Sequence, residues 1–348
     1  MKITEKSTIN LSSDYLQGAH PDVMKRLAET NLVKTAGYTL DEFSQSAREK
    51  IRKECNAPEA DVFFLTGGTQ TNAVFIGAYL KPYQGVIAAD SAHISLHEAG
   101  AIEFGGHKVL TVPSENGKIK AEDISSYIDG YYSDKNHEHM VMPGMVYISQ
   151  PTECGTLYSL DELEKISAVC RKNNIALYAD GARLAYALAC DKNDVSLADM
   201  ARLCDAFYIG GTKCGTLFGE ALVIPVHNLI PHLFTMTKQY GALLAKGRIA
   251  GVQFDTLFTD GLYYRLGRTA IDAADKIRAA LKEKGYKTLY DSPTNQIFIL
   301  FENSRLEEIS RNAELGFWEK ADQDHTVMRL AASWATTEEE VKDFVSVL

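Results

Sequence analysis

Two ionisable residues stand where α/β proteins usually deliver chemistry. Asp180 closes the apolar run Leu177-Tyr-Ala-Asp and is followed by Gly181-Ala-Arg183, and Lys213 follows Tyr208-Ile-Gly-Gly-Thr212 and precedes Cys214-Gly215. A short apolar stretch ending in a charged residue beside glycine is how a strand end presents a functional group to a ligand crevice. The two residues are 33 apart, room for one helical crossover between neighbouring parallel strands. A carboxylate from one strand and an amine from a later one are what pyridoxal phosphate requires. The lysine holds the aldehyde as a Schiff base, and the aspartate keeps the pyridine nitrogen protonated so that the ring accepts electrons. Taken singly, a turn lysine and a helix-capping aspartate explain the same residues; other segments shift the balance.

Thr66-Gly67-Gly68-Thr69-Gln-Thr-Asn72 follows a predicted strand and opens a predicted helix. Its glycines allow close backbone approach, and the helix N-terminal amides with the Thr69 hydroxyl can cradle a phosphate. His93, just past another strand end, can stack on a flat ring and move protons near neutral pH. The alternative is a histidine packed in the wall at a helix start. His93, His97 and Glu98 mimic a metal set, but no further His, Cys or Asp lies close enough to complete one. Arg183, three residues after Asp180, can reach the cofactor's phenolic oxygen or a substrate carboxylate, since arginine grips carboxylates with two prongs. A surface salt bridge is the plainer account. Arg329 sits in an apolar strand, where an unpaired charge is costly; a carboxylate ligand or an internal ion pair would answer that cost.

The elements that carry these residues follow from periodicity. Apolar runs at Val62–Thr66, Val86–Asp90, Lys108–Val112, Met145–Ser149, Ala176–Asp180, Ala206–Gly210 and Ala221–Pro225 read as strands. Helical patterns separate several of them, at Thr71–Leu80, Ile94–Phe104 and from Ser159 to about Asn174. Ser159 and Glu162 form a capping box at the start of the last. Strands alternating with helices imply a mostly parallel sheet covered on both faces. One long helical stretch, Pro231–Leu281, leads to strands at Gly285–Leu289, Gln296–Leu300 and Thr326–Leu330. Helices at Leu306–Leu315 and Thr337–Leu348 complete a smaller α+β unit, with the boundary expected near residue 250.

The 348 residues, 45% apolar and 24% charged, describe an ordinary globular chain of two domains, or one with an appendage. No run reaches the length of a membrane span, and the polar N-terminus has no signal-peptide core. A net charge of −10 argues against nucleic acid as a partner. Cys55, Cys154, Cys170, Cys190, Cys204 and Cys214 are scattered without a C-x-x-C pair, the pattern of reduced, buried thiols in the cytoplasm.

Taken together, these segments resemble the fold-type I pyridoxal-phosphate enzymes and, within them, the threonine aldolase / aromatic-amino-acid β-eliminating lyase family. The resemblance spans nearly the whole chain: Ser13-Asp14, Gly67-Gly-Thr-Gln-Thr-Asn, Asp90-Ser-Ala-His, Tyr178-Ala-Asp-Gly-Ala-Arg, Gly211-Thr-Lys, and Arg329 in a late apolar strand. It implies an aspartate-aminotransferase-like α/β fold, with a large, mostly parallel seven-stranded sheet domain and a smaller α+β C-terminal domain. The expected division is an N-terminal arm over 1–20, a cofactor domain over 21–250 and a small domain over 251–348. The resemblance implies that Lys213 forms the Schiff base, Asp180 meets the pyridinium, His93 stacks on the ring, and Gly67, Gly68 and Thr69 bind the phosphate. Ser13, Arg183 and Arg329 would hold an amino acid's carboxylate. Lys238 would reach a neighbouring subunit's phosphate in a homodimer or homotetramer with shared active sites.

Three stretches depart from the family pattern. Glu153, in Gln150-Pro-Thr-Glu-Cys-Gly, stands where a histidine near the substrate hydroxyl is usual. Gly241-Ala-Leu-Leu-Ala-Lys246 replaces a Gly-Gly-Gly-Met-Arg segment, and Gly37-Tyr-Thr-Leu-Asp41 replaces Tyr-Gly-Glu-Asp. The implied activity is cleavage of an L-β-hydroxy-α-amino acid to glycine and an aldehyde, with Glu153 or a His93-bound water as base. β-Elimination, transamination or racemisation of another amino acid is the alternative, and a non-catalytic cofactor-binding protein the remote one.

Overall fold

The computed structural model describes residues 9–348; the first eight residues of the expected N-terminal arm lie outside them. The chain enters with a two-residue strand, β1 (Ile9–Asn10), and then builds β2 (Asp61–Leu65), β3 (Gln84–Ala89), β4 (Val109–Val112), β5 (Met142–Ser149), β6 (Ala176–Asp180), β7 (Ala206–Gly210) and β8 (Glu220–Ile224). The last seven form one sheet in the order β2-β8-β7-β6-β5-β3-β4. β8 pairs antiparallel with both β2 and β7, and every other pairing is parallel. This is the expected mostly parallel seven-stranded sheet. β6 and β7 are buried along their whole length, which is why they read as continuous apolar runs rather than alternating ones.

The helix Gly68–Tyr79 packs on one face of the sheet, with the Phe75 and Tyr178 rings 4.5 Å apart. Helix Leu160–Lys172 carries the expected capping box, in which the Ser159 hydroxyl accepts from the Glu162 amide and the Glu162 carboxylate accepts from the Ser159 amide. The expected helix over Ile94–Phe104 is two short ones, His93–Leu96 and Ala101–Phe104, parted by left-handed backbone at Ala99 and Gly100. The single long helix expected over Pro231–Leu281 is three: Leu233–Gln239, Arg248–Leu257 and Leu262–Glu283. Gly241, Asp260 and Gly261 adopt positive φ between them and turn the chain where the apolar pattern alone would carry on.

The smaller sheet is antiparallel, in the order β12-β13-β10-β9, built from β9 (Lys287–Thr288), β10 (Gln296–Glu302), β12 (Gly316–Lys320) and β13 (His325–Ala331); β11 (Ala313–Glu314) pairs instead with β1. Two apolar cores result, and helix Leu262–Glu283 serves both. Leu266, Ala270 and Ile271 belong to the large core, and Ala274, Ile277 and Leu281 to the small one, with Ile9 and Leu11. All six cysteines are buried and unpaired. No described helix is long and apolar enough to cross a membrane.

Candidate active site

Strand order reverses between β3 and β5, and the carboxyl ends of the parallel strands open there into a cleft of about 310 Å³, where ligands gather in open α/β sheets. Gly67, Gly68, Thr69, His93, Glu153, Asp180, Arg183 and Lys213 all line it, although they are spread over much of the chain. Ser13, Arg329 and Lys238 are not among the lining residues.

Backbone crowding explains the glycines beside the two ionisable strand ends. A Cβ on Gly181 would fall 2.0 Å from the Tyr208 carbonyl oxygen, and one on Gly210 would fall 2.3 Å from that of Ala182. The chain after β6 therefore crosses the end of β7 at contact distance, which brings Lys213 beside Asp180. The Lys213 carbonyl accepts from the Tyr186 hydroxyl. Burial, and then the Arg183 charge, push the lysine amine below its usual range, against Asp14, Asp180 and Glu220. An amine held less basic is a better nucleophile toward an aldehyde.

Asp180 is almost fully enclosed. Its Oδ1 accepts from the Tyr208 hydroxyl at 2.6 Å and the Ala182 amide at 3.0 Å, and its Oδ2 from the Tyr147 hydroxyl at 2.7 Å and Asn72 Nδ2 at 3.2 Å. Burial alone would raise its pKa, but the His93 charge, the Tyr208 and Tyr147 hydroxyls and the Ala182 amide together bring it below the ordinary value. The His93 ring, about one-third exposed, points Nδ1 at Glu98 Oε1, 2.8 Å away. Glu98 is itself buried, and its Oε2 has no partner. The Glu153 carboxylate accepts through Oε1 from the Ser149 hydroxyl at 2.7 Å and the His93 amide at 3.0 Å. Burial raises its pKa despite those bonds, and repulsion from Asp180 adds to the rise.

At the other end of the cleft Arg183 is held in two-pronged fashion by Asp14, at 2.6 Å and 3.0 Å, and Asp14 also accepts from Asn295. The same geometry keeps the third guanidinium nitrogen of Arg183 out of that pair. Arg329, opposite Phe298 in the β10–β13 ladder, donates to the Ser12 carbonyl while its Nε is buried without a partner. The neighbouring Ser13 hydroxyl is buried and unpartnered too. Lys238 lies elsewhere in its own chain, its amine 4.5 Å from the centre of the Tyr38 ring.

Sequence reasoning passed over Tyr147, Tyr208, Asn72, Tyr15 and Glu220. A signal for the tyrosines was present: β5, β6 and β7 each carry one, at Tyr147, Tyr178 and Tyr208, two residues before a strand-end Ser149, Asp180 or Gly210. Glu220 opens β8, and because β8 is antiparallel its first residue falls at the same sheet edge as the other strands' last ones. It accepts from the Gly211 amide.

The residues present fit pyridoxal phosphate. Lys213 offers an amine for the aldehyde and Asp180 a carboxylate for the ring nitrogen. For the phosphate there is the N-terminus of helix Gly68–Tyr79, which has no side-chain cap, with the Thr69 hydroxyl beside it. A Cβ on Gly68 would come within 2.8 Å of the Tyr208 hydroxyl, so the turn is tailored to its surroundings. No group of described residues has the makings of a metal site.

Comparison with known proteins agrees with this geometry. The family model described as β-eliminating lyase matches residues 10–332. A low-specificity L-threonine aldolase from Pseudomonas sp. is 28% identical over 342 residues, 96% of this chain and 95% of its own. A solved threonine aldolase from Leishmania major is 43% identical, covers 97% of this chain and 98% of its own, and superposes with a TM-score of 0.94. An aspartate aminotransferase from Thermus thermophilus, at 16% identity and a TM-score of 0.71 over 98% of this chain and 91% of its own, shares the fold. With one family model covering nearly all of the chain and a solved relative that follows it end to end, the chain belongs to the β-eliminating lyase family.

Proposed function

We propose that the chain is a pyridoxal-phosphate-dependent lyase of the threonine aldolase type, cleaving L-threonine or L-allo-threonine to glycine and acetaldehyde. The observation that carries this reading is the grouping of Lys213, Asp180, His93 and Glu153 in one cleft, in a chain whose relatives at full coverage include threonine aldolases. Lys213 would hold the cofactor's aldehyde carbon, Asp180 its ring nitrogen, His93 its face, and Gly67, Gly68 and Thr69 its phosphate. When bound, the cofactor supplies a sink for the electron pair left on the α carbon.

The chain's own groups do the rest. Arg183 lines the cleft and would hold the substrate carboxylate; Ser13 and Arg329 lie outside its lining, and the unpartnered Ser13 hydroxyl and Arg329 Nε support their expected share in that role. Glu153 takes the β-hydroxyl proton. Its Oε1 is occupied by Ser149 and His93, which leaves Oε2 to receive it, and a raised pKa suits a base that must later give the proton back. His93, fixed through Glu98, keeps the ring in place.

The working form is taken to be a cytoplasmic dimer or tetramer with shared sites. Exposed Leu32, Leu40, Leu217 and Leu244 support association, and Lys238, free of its own cleft, is available to a neighbour's phosphate. Purified protein loaded with the cofactor should absorb in the visible and release glycine and acetaldehyde from L-threonine. Lys213→Ala should abolish the absorbance and reduce turnover to background. 2-Oxobutyrate and ammonia in place of glycine and acetaldehyde would replace this reading with β-elimination.

A further inference from the structure

We propose that the hydroxyls of Tyr147, Tyr178 and Tyr208, with the Asn72 amide, form a built anion site that keeps the buried Asp180 ionised and thereby keeps the cofactor's ring nitrogen protonated. The inference rests on the cofactor reading above and concerns positioning residues rather than catalytic ones.

All four polar groups come from one side of the sheet. Tyr147 pairs with Tyr178 and Ser149 with Asp180 across β5 and β6, and Tyr178 pairs with Ala206 across β6 and β7. Side chains alternate along a strand, so Tyr147, Tyr178, Asp180 and Tyr208 all emerge on the same face. Helix Gly68–Tyr79 covers that face and contributes Asn72. All three tyrosines are at most 1% exposed, and Asn72 is fully buried. A carboxylate in such a place takes up a proton unless donors compensate for lost water. Glu98 and Glu153 stand close by and would repel a second negative charge.

The donors are unusually complete. Two phenol hydroxyls reach Asp180 at 2.6 and 2.7 Å, the range of strong charge-assisted bonds. Tyr178 acts one step back. Its hydroxyl donates to Asn72 Oδ1 at 2.9 Å, which turns Nδ2 toward both Asp180 and Glu98. The Ala182 amide adds a further donor at 3.0 Å, and the Asn72 bond, at 3.2 Å and shared with Glu98, is the longest of the four. A simple apolar packing role would not need three aligned hydroxyls. Between Asp180 and a pyridine nitrogen there is one proton to share. Stabilising the carboxylate leaves that proton on nitrogen, whereas weakening the donors moves it onto Asp180.

The test uses Tyr147→Phe, Tyr208→Phe and the double variant, each loaded with pyridoxal phosphate labelled with ¹⁵N in the ring. The wild type should give the nitrogen shift of a protonated ring, and each variant should move toward the unprotonated position, the double variant furthest. Cofactor affinity should fall about tenfold for each lost hydroxyl, while affinity for the analogue with carbon in place of the ring nitrogen should change much less. An unchanged nitrogen shift in both single variants overturns the proposal, as does an equal loss of affinity for cofactor and analogue, which would mark a packing role. If the double variant does not fold, the single variants carry the same test. Failure of the wild type to take up the cofactor would sink the cofactor reading instead, a distinguishable outcome.

Discussion

Burial pushes the Glu220 carboxyl up to about 7, and its bonds to Thr212 and the Gly211 amide, with the nearby Lys213 charge, only partly offset this. The sign has a direct consequence for the cofactor-free protein. A carboxyl with a folded-state pKa above its ordinary 4.5 holds its proton more tightly folded than unfolded, so stability is lost as pH rises from there through about 7. The gap corresponds to a cost of about 3 kcal/mol once the group is ionised. Glu220→Gln fixes the side chain in its neutral form. Urea unfolding should show the variant more stable than wild type by about 1–3 kcal/mol at pH 8, with the gain vanishing below pH 4.5. A gain independent of pH would mean that shape, not charge, sets the effect.

At the scale of elements, the turn from β2 into helix Gly68–Tyr79, proposed above to hold the phosphate, lies against the Tyr208 side chain of β7. Alanine at Gly68, the first residue of the helix, would favour it by less than the roughly 1 kcal/mol of an interior position, and its Cβ would meet the Tyr208 hydroxyl at 2.8 Å. That hydroxyl is held by Asp180 and cannot swing away freely, and overpacking of this kind costs about 1–3 kcal/mol. Gly68→Ala should therefore lower the melting temperature and weaken cofactor retention in a dialysis assay. In a Tyr208→Phe background the same alanine should be close to neutral in the melt, because the atom it strikes is gone. The strands here were legible because their apolar runs end abruptly in glycine: β6 and β7 lie where the sequence puts them. The three helices between Leu233 and Glu283 were not, because apolar periodicity persists across turns set by backbone dihedrals at Gly241, Asp260 and Gly261. The site divides the same way. Lys213, Asp180, His93 and Glu153 interrupt apolar runs or follow them and so attract notice. Tyr147 and Tyr208 look like core strand residues, and only register between strands distant in sequence turns their hydroxyls onto Asp180. Glu220 waited on the direction of β8.

Across the whole molecule, one carboxylate ties three regions together. The N-terminal segment pairs with β11 at Ile9–Asn10, receives Arg329 at the Ser12 carbonyl, and then buries Asp14 against Arg183 from the end of β6 and Asn295 from the entry to β10. Asn295 also donates to the Ala332 carbonyl, so the contact links the cleft wall to the smaller sheet. Burial raises the Asp14 pKa, but the charges of Arg183 and Lys213 and the bonds from Arg183 and Asn295 outweigh it and bring the group down to about 2. A depressed carboxylate contributes stability that is fully present above its ordinary 3.8 and is lost as pH falls through about 2. The contribution is on the order of 2 kcal/mol. Asp14→Asn removes more than that, because it leaves the Arg183 guanidinium buried without its counter-charge, and breaking a buried pair typically costs about 3–5 kcal/mol. Urea unfolding at pH 7 should show a loss of that size. As pH is lowered from 4 toward 2, wild type should lose stability faster than the variant, because its own Asp14 is then taking up the proton that asparagine never needed. Parallel acid limbs in the two proteins would place the stabilising effect in packing of the N-terminal segment rather than in the Asp14 charge.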